Sequence, residues 1–184
     1  GQGGRLVALK RNLRLRTWQA CERALVEPIA AMVRQDVRDG FSVALFMSFN
    51  ESRIRMGKAL GESSGIFGGV TANRRKYLMA EFQADRLHIL VNNVKSGGVA
   101  LNLHDLHGDR ARKSYLFPTD NLIAFIQSSG RVARVKAQSK SDQYIPTVVG
   151  SGGESLMSRM VKRLRAKALN LQVLNDGSSD GAAF

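Results

Sequence analysis

Two arginines three positions apart, in Gln127-Ser-Ser-Gly130-Arg131-Val-Ala-Arg134, carry the most specific chemistry in this sequence. On a helical turn just past a glycine they would project from one face. Guanidinium groups so placed can grip a phosphate and stabilise the charge that spreads over it during transfer. Their planar fork suits that task better than an ammonium does. The bland alternative is a basic surface turn. A second stretch, Asn92-Asn93-Val94-Lys95-Ser96-Gly97-Gly98-Val99-Ala100-Leu101-Asn102-Leu103, directly follows an apolar run of strand type. Its tandem glycines let backbone amides approach an anion closely, although a glycine pair after a strand also makes an ordinary tight turn.

Positioning such groups calls for alternating strands and helices. Residues 17–38 read as an amphipathic helix, with Trp18, Cys21, Leu25, Ile29, Met32, Val33 and Val37 at spacings of three and four; Pro28 would kink or break it. Residues 41–48 have strand length and composition, and a helix runs from Asn50 through Leu60. Residues 64–67 form a further short candidate strand. Thr71 or Asn73 caps the helix that contains Tyr77 and Phe82. Residues 87–92 are the clearest buried strand, followed by strands at 114–117 and 143–149 with a helix at 121–127 between them. A long helix over 154–171 carries an apolar stripe of Met157, Met160, Val161, Leu164, Ala168 and Leu171, with basic residues on its remaining face. That basic face is either solvated or laid along a phosphate backbone. The alternation predicts an α/β domain of three layers, a mainly parallel central sheet flanked by helices, with ligands at the carboxyl ends of the strands. Residues 1–16 read as a basic lead-in or linker, 17–174 as the domain and 175–184 as a flexible tail.

Composition narrows the function. A length of 184 residues, 43% of them hydrophobic, suits one domain with a core. No apolar run is long enough to cross a bilayer, so no membrane partner is expected. The opening Gly1-Gln2-Gly3-Gly4 lacks the charged-then-apolar order of a secretory signal. Cys21 is the single cysteine, which excludes an intrachain disulfide. An intracellular location, cytoplasm or nucleus, is therefore expected. His104 and His107 have no acidic or cysteine cluster at ligand spacing, so no metal site is expected in the chain. The formal charge of +13 favours a polyanionic partner.

In this order the two stretches resemble motifs V and VI of superfamily 2 helicases and translocases. They are similar to the Swi/Snf-type pattern Ser-Thr-x-Ala-Gly-Gly-x-Gly-Leu-Asn-Leu followed by Gln-x-x-Gly-Arg-x-x-Arg. The strand ending at Ser48 resembles motif IV, and Gly69-Val-Thr71 followed by Arg74 or Arg75 and Phe82 matches the usual progression. The stretch from Leu103 through Asp109-Arg-Ala-Arg112 to Tyr115 is also similar to strawberry-notch-like helicases. The sequence departs from the pattern at Ala100, where glycine is usual, and at Asn93, where a hydroxyl is usual. It also runs one residue long over Val135-Lys136-Ala137-Gln138. The resemblance implies a RecA-like C-terminal lobe whose Arg131 and Arg134 reach ATP across a cleft. Gln127, Gly130, Gly98 and Asn102 would lie near the nucleotide. Ser48, Gly69, Asn93 and Lys95 would face a nucleic-acid backbone, DNA ahead of RNA. ATP and Mg²⁺ would be held mainly by a separate N-terminal lobe, for this sequence has no Gly-x-x-x-x-Gly-Lys-Ser/Thr phosphate loop and no Asp-Glu dipeptide at a strand end. Two other readings are a non-catalytic nucleic-acid-binding or regulatory module on the same fold, and a small-molecule α/β enzyme. The last is disfavoured, since neither a nucleophile with its base nor a dinucleotide fingerprint is visible.

Overall fold

The computed structural model describes residues 2–95, 101–134, 137–149 and 153–176. It opens with two helices, α1 (Gln2–Ala24) and α2 (Val26–Arg38), which separate at Leu25. Pro28 is not the break. It lies in the first turn of α2, where a missing N–H forfeits no intrahelical bond. The basic residues ahead of Thr17 are helical as well, and residues 4–17 are exposed.

Next come β1 (Ser42–Met47), α3 (Asn50–Leu60), α4 (Ala72–Gln83) and β2 (Ile89–Asn93). They are followed by β3 (Arg112–Leu116), α5 (Leu122–Ser129), β4 (Ser141–Tyr144) and α6 (Leu156–Asp176). The four strands form one sheet in the order β2-β1-β3-β4, every pair parallel. β1 is buried along its whole length. Alternation of side chains splits its apolar run between two cores. Ala44 and Phe46 pack with Leu78 and Phe82 of α4, Phe125 of α5 and Leu164 of α6. Val43, Leu45 and Met47 pack with Ile29 and Val33 of α2 and Met56 of α3. Helices thus cover both faces of the sheet, the three-layer α/β arrangement that the alternation of elements predicts.

Two strand ends depart from the sequence pattern. β3 begins at Arg112 rather than at Ser114, because its two basic residues have carboxylate partners. Arg112 pairs with Asp85, and Lys113 Nζ lies 2.7 Å from Asp36 Oδ1. β4 stops at Tyr144 rather than running to Val149, since Pro146 cannot donate to the ladder. Residues 64–66 lie extended beside β2 without forming a regular strand. The Val91 and Asn93 N–H groups donate to the Ser64 and Ile66 carbonyls at 3.0 and 3.1 Å. The stripe on α6 is buried at Met157, Met160, Val161, Leu164 and Ala168, as its periodicity predicts.

Candidate functional site

The two stretches that open the sequence argument meet in the fold. The Leu103 N–H donates to the Arg131 carbonyl at 3.0 Å. Leu101, Leu103 and Val132 are all buried in the core that covers the α4, α5 and α6 side of the sheet. The arginines do not share a helical face, however. α5 ends at Ser129 with Gly130 as its cap residue, and the Arg131 N–H closes a tight turn onto the Ser128 carbonyl at 3.2 Å. Glycine is a poor helix former, so the chain leaves the helix before the pair is reached. As a result Arg131 is only 6% exposed, whereas Arg134 is exposed. Gln127 and Asn102 are exposed too, and Gly98 lies outside the described residues.

Positive charge is concentrated here. Burial lowers the Arg131 pKa from its ordinary value, and the charge of Arg134 adds to the effect. His104 is lowered by burial first and then by Arg134 and Arg112, with Asp105 opposing. Two neighbours thus register the field of Arg134, and an anion placed among them would relieve that crowding.

Asp105 ties this region together. Its backbone carbonyl accepts from Gln138 N–H at 3.1 Å, just beyond the arginine turn. Its Oδ1 accepts from His107 and Gly108 N–H, each at 3.0 Å. Burial alone would raise the Asp105 pKa. Those two N–H groups and the charge of Arg112 act against burial, and the Asp105 pKa lies below the usual carboxylate value. Arg112, 1% exposed, opens β3, and its Nη2 is 4.0 Å from Asp105 Oδ1. The arginine turn therefore sits near the amino end of β3, not at the carboxyl ends of the strands where ligands were expected.

The residues predicted to face nucleic acid do gather at the carboxyl ends. Met47 and Asn93 are partners in register across β1 and β2, so Ser48 and Lys95 leave the sheet on the same edge. Asn93 Oδ1 accepts from the Lys95 N–H at 3.0 Å, and the Lys95 side chain is exposed. Gly69 follows the extended segment beside β2 and is exposed, with φ +91°. Ser48 is different. Its hydroxyl donates to the Pro118 carbonyl at 3.0 Å, and its N–H donates to Glu22 Oε2 at 3.1 Å.

Sequence reasoning passed over Glu22 and Asp105. Each had one signal, an isolated acidic residue in a basic or apolar context; Glu22 is the first acid in the chain. Glu22 accepts backbone N–H groups from Ser48 and Phe49, at 3.1 and 3.0 Å, and so caps α3 from another helix. Among the described residues, no three His, Cys, Asp or Glu side chains gather as a metal site, and no helix is long and apolar enough to cross a membrane.

The sheet is all parallel with helices on both faces, a RecA-like α/β arrangement, and the two motif segments are joined beside it. The chain is 30% identical over 148 residues to a protein of Acanthamoeba polyphaga mimivirus that carries the name of an ATP-dependent RNA helicase. That match takes in 80% of this chain and 27% of the relative, so the chain spans about a quarter of the relative's length. Its fold is similar to the C-terminal part of the Fun30 ATPase domain, with a TM-score of 0.54 and 20% identity. That likeness covers 68% of this chain and 40% of the other. No protein-family model matches the chain.

Proposed function

We propose that the chain is the C-terminal motor lobe of a nucleic-acid-dependent ATPase, a helicase or translocase. In this reading it supplies Arg131 and Arg134 to ATP that a separate N-terminal lobe holds. The observation that carries this is the 3.0 Å bond from Leu103 to Arg131, which fixes the arginine turn against the end of the glycine-bearing segment. Arg134, exposed and in the crowded positive field, is the group that reaches the γ-phosphate. Arg131, more deeply set, stabilises the charge that develops there. Gln127 and Gly130 flank the phosphates, and Gly98 with Asn102 lines the nucleotide side. In this reading Mg²⁺ is held with ATP on the other lobe.

Nucleic acid, with DNA favoured over RNA, runs over the carboxyl edge. Gly69, Asn93 and Lys95 contact its backbone and Ser48 holds β1 to the segment after β3. Such contacts position a strand without reading its sequence. The segment between Asn93 and Leu103 begins at this edge and ends bonded to the arginine turn. In this reading closure of the lobes on ATP is coupled to the nucleic-acid side.

The test is ATP turnover of a polypeptide that joins this lobe to its phosphate-loop lobe, with nucleic acid present. Arg134→Ala is expected to lower kcat by about a thousandfold or more, the usual scale for a lost arginine finger. Turnover equal to that of the parent protein overturns the assignment.

A further inference from the structure

The basic face of α6 finds no role in the ATP-facing turn or at the sheet edge. It packs beside α1, and the groove between the two helices has Lys10 and Arg14 on one wall and Arg159 and Arg163 on the other. All four side chains are exposed. The ion pairs found among the described residues involve none of them. Lys162, one position from Arg163, by contrast pairs with Glu154 at 2.7 Å. α1 contains a single acidic residue, Glu22, and that one is buried in its capping role.

From these facts we infer that the α1–α6 groove is a second nucleic-acid site, which takes the phosphodiester backbone of one strand as it leaves the carboxyl edge of the sheet. Like charges on facing walls repel, and a polyanion between them removes that repulsion while releasing its own counterions. On each helix the two cations are four residues apart, a rise of about 6 Å, a step on the scale of neighbouring phosphates along a strand. Three of the four are arginines, whose forks match phosphate oxygens.

The floor beneath the cations is formed by Leu13 and the half-buried Leu156, with Met160 buried at 3% exposure. Continuity with the sheet edge adds a second line of support. Thr17 lines the groove, and the next residue, Trp18, packs edge-on against Phe49 with ring centroids 4.6 Å apart. Phe49 directly follows Ser48, so this ring contact ties the helix that carries one wall of the groove to the carboxyl end of β1. The inference rests on the nucleic-acid reading only for the identity of the polyanion.

The 184-residue chain can be titrated against a fluorescently labelled oligothymidylate at several salt concentrations. Substitution of Arg14, Arg159 and Arg163 together by glutamine should weaken binding about tenfold or more. It should also flatten the slope of log affinity against log salt by about 2, three phosphate contacts on a single strand. Arg14→Gln alone should remove about 0.7 of that slope, which keeps the test sound if the triple variant folds poorly. Lys95→Gln serves as the contrast at the sheet edge. Loss of affinity with Lys95→Gln but not with the groove variants overturns the groove and leaves the track intact. Absence of binding by the parent chain overturns both. Tighter binding of poly-glutamate than of the oligonucleotide, lost in the groove variants, makes the occupant an acidic protein and also overturns the inference.

Discussion

Glu22 is a carboxyl group pulled in two directions. Two backbone N–H groups, from Phe49 and Ser48, favour its anion, while burial favours the neutral acid. Burial is the larger effect, and the pKa rises from 4.5 to about 7. Since the folded protein holds this proton more tightly than the unfolded chain, the contribution is fully present below about pH 4.5. It is lost as pH rises through 7. The difference corresponds to something on the order of 3 kcal/mol. Thermal melting of the protein and of Glu22→Gln across this range should show the parent losing stability relative to the variant as pH rises. Parallel curves would show that Glu22 does not titrate in this window. The Arg112 guanidinium is a second buried charge, held by Asp85 and by the carbonyls of Arg110 and Phe82. Removing one member of such a set leaves the others uncompensated, which is why its charge is tolerated only as part of the whole.

The extended stretch at residues 64–66 behaves as a fifth strand in all but regularity. Asn92 reaches across from β2 to accept the Ile66 N–H at 2.9 Å, which completes the pairing that begins at Ser64. Gly65 makes the approach possible, for a Cβ at that position would lie 2.0 Å from the Val91 carbonyl oxygen. Backbone, not a flexible side-chain tip, stands in the way, so one of the two segments must shift. Gly65→Ala is therefore expected to destabilise the lobe by roughly 1–3 kcal/mol, the range for overpacking. A chemical denaturation midpoint indistinguishable from the parent's would show that the segment is not held where it lies. Because this stretch delivers Gly69 to the carboxyl edge, the same substitution should weaken oligonucleotide binding.

In the proposed reading the molecule is half of a machine. It supplies arginines, and the 184 residues contain no phosphate loop, so this chain alone should show no ATP turnover above background in a phosphate-release assay. Steady turnover by the purified chain would place a complete site within it. Much of this design was legible from local pattern. β1 is buried at every position because both faces are covered, and the near-continuous apolar run after Ser42 made it legible as a strand without coordinates. The stripe on α6 and the cap at Thr71 were likewise local, set by helical periodicity and by one side-chain bond to Arg74 N–H. What the sequence could not yield depended on partners distant along the chain. Lys113 enters a strand because Asp36 neutralises it, and Glu22 becomes a cap because α1 folds back over the start of α3. The arginine pair that opened the argument shows both sides. Its types and spacing, beside a glycine, pointed to phosphate chemistry through the planar guanidinium fork, with a basic surface turn as the alternative. Only the tertiary structure decided that one arginine is buried and the other exposed, because Val132 anchors the turn in the core and Leu103 bonds it from a segment distant in sequence.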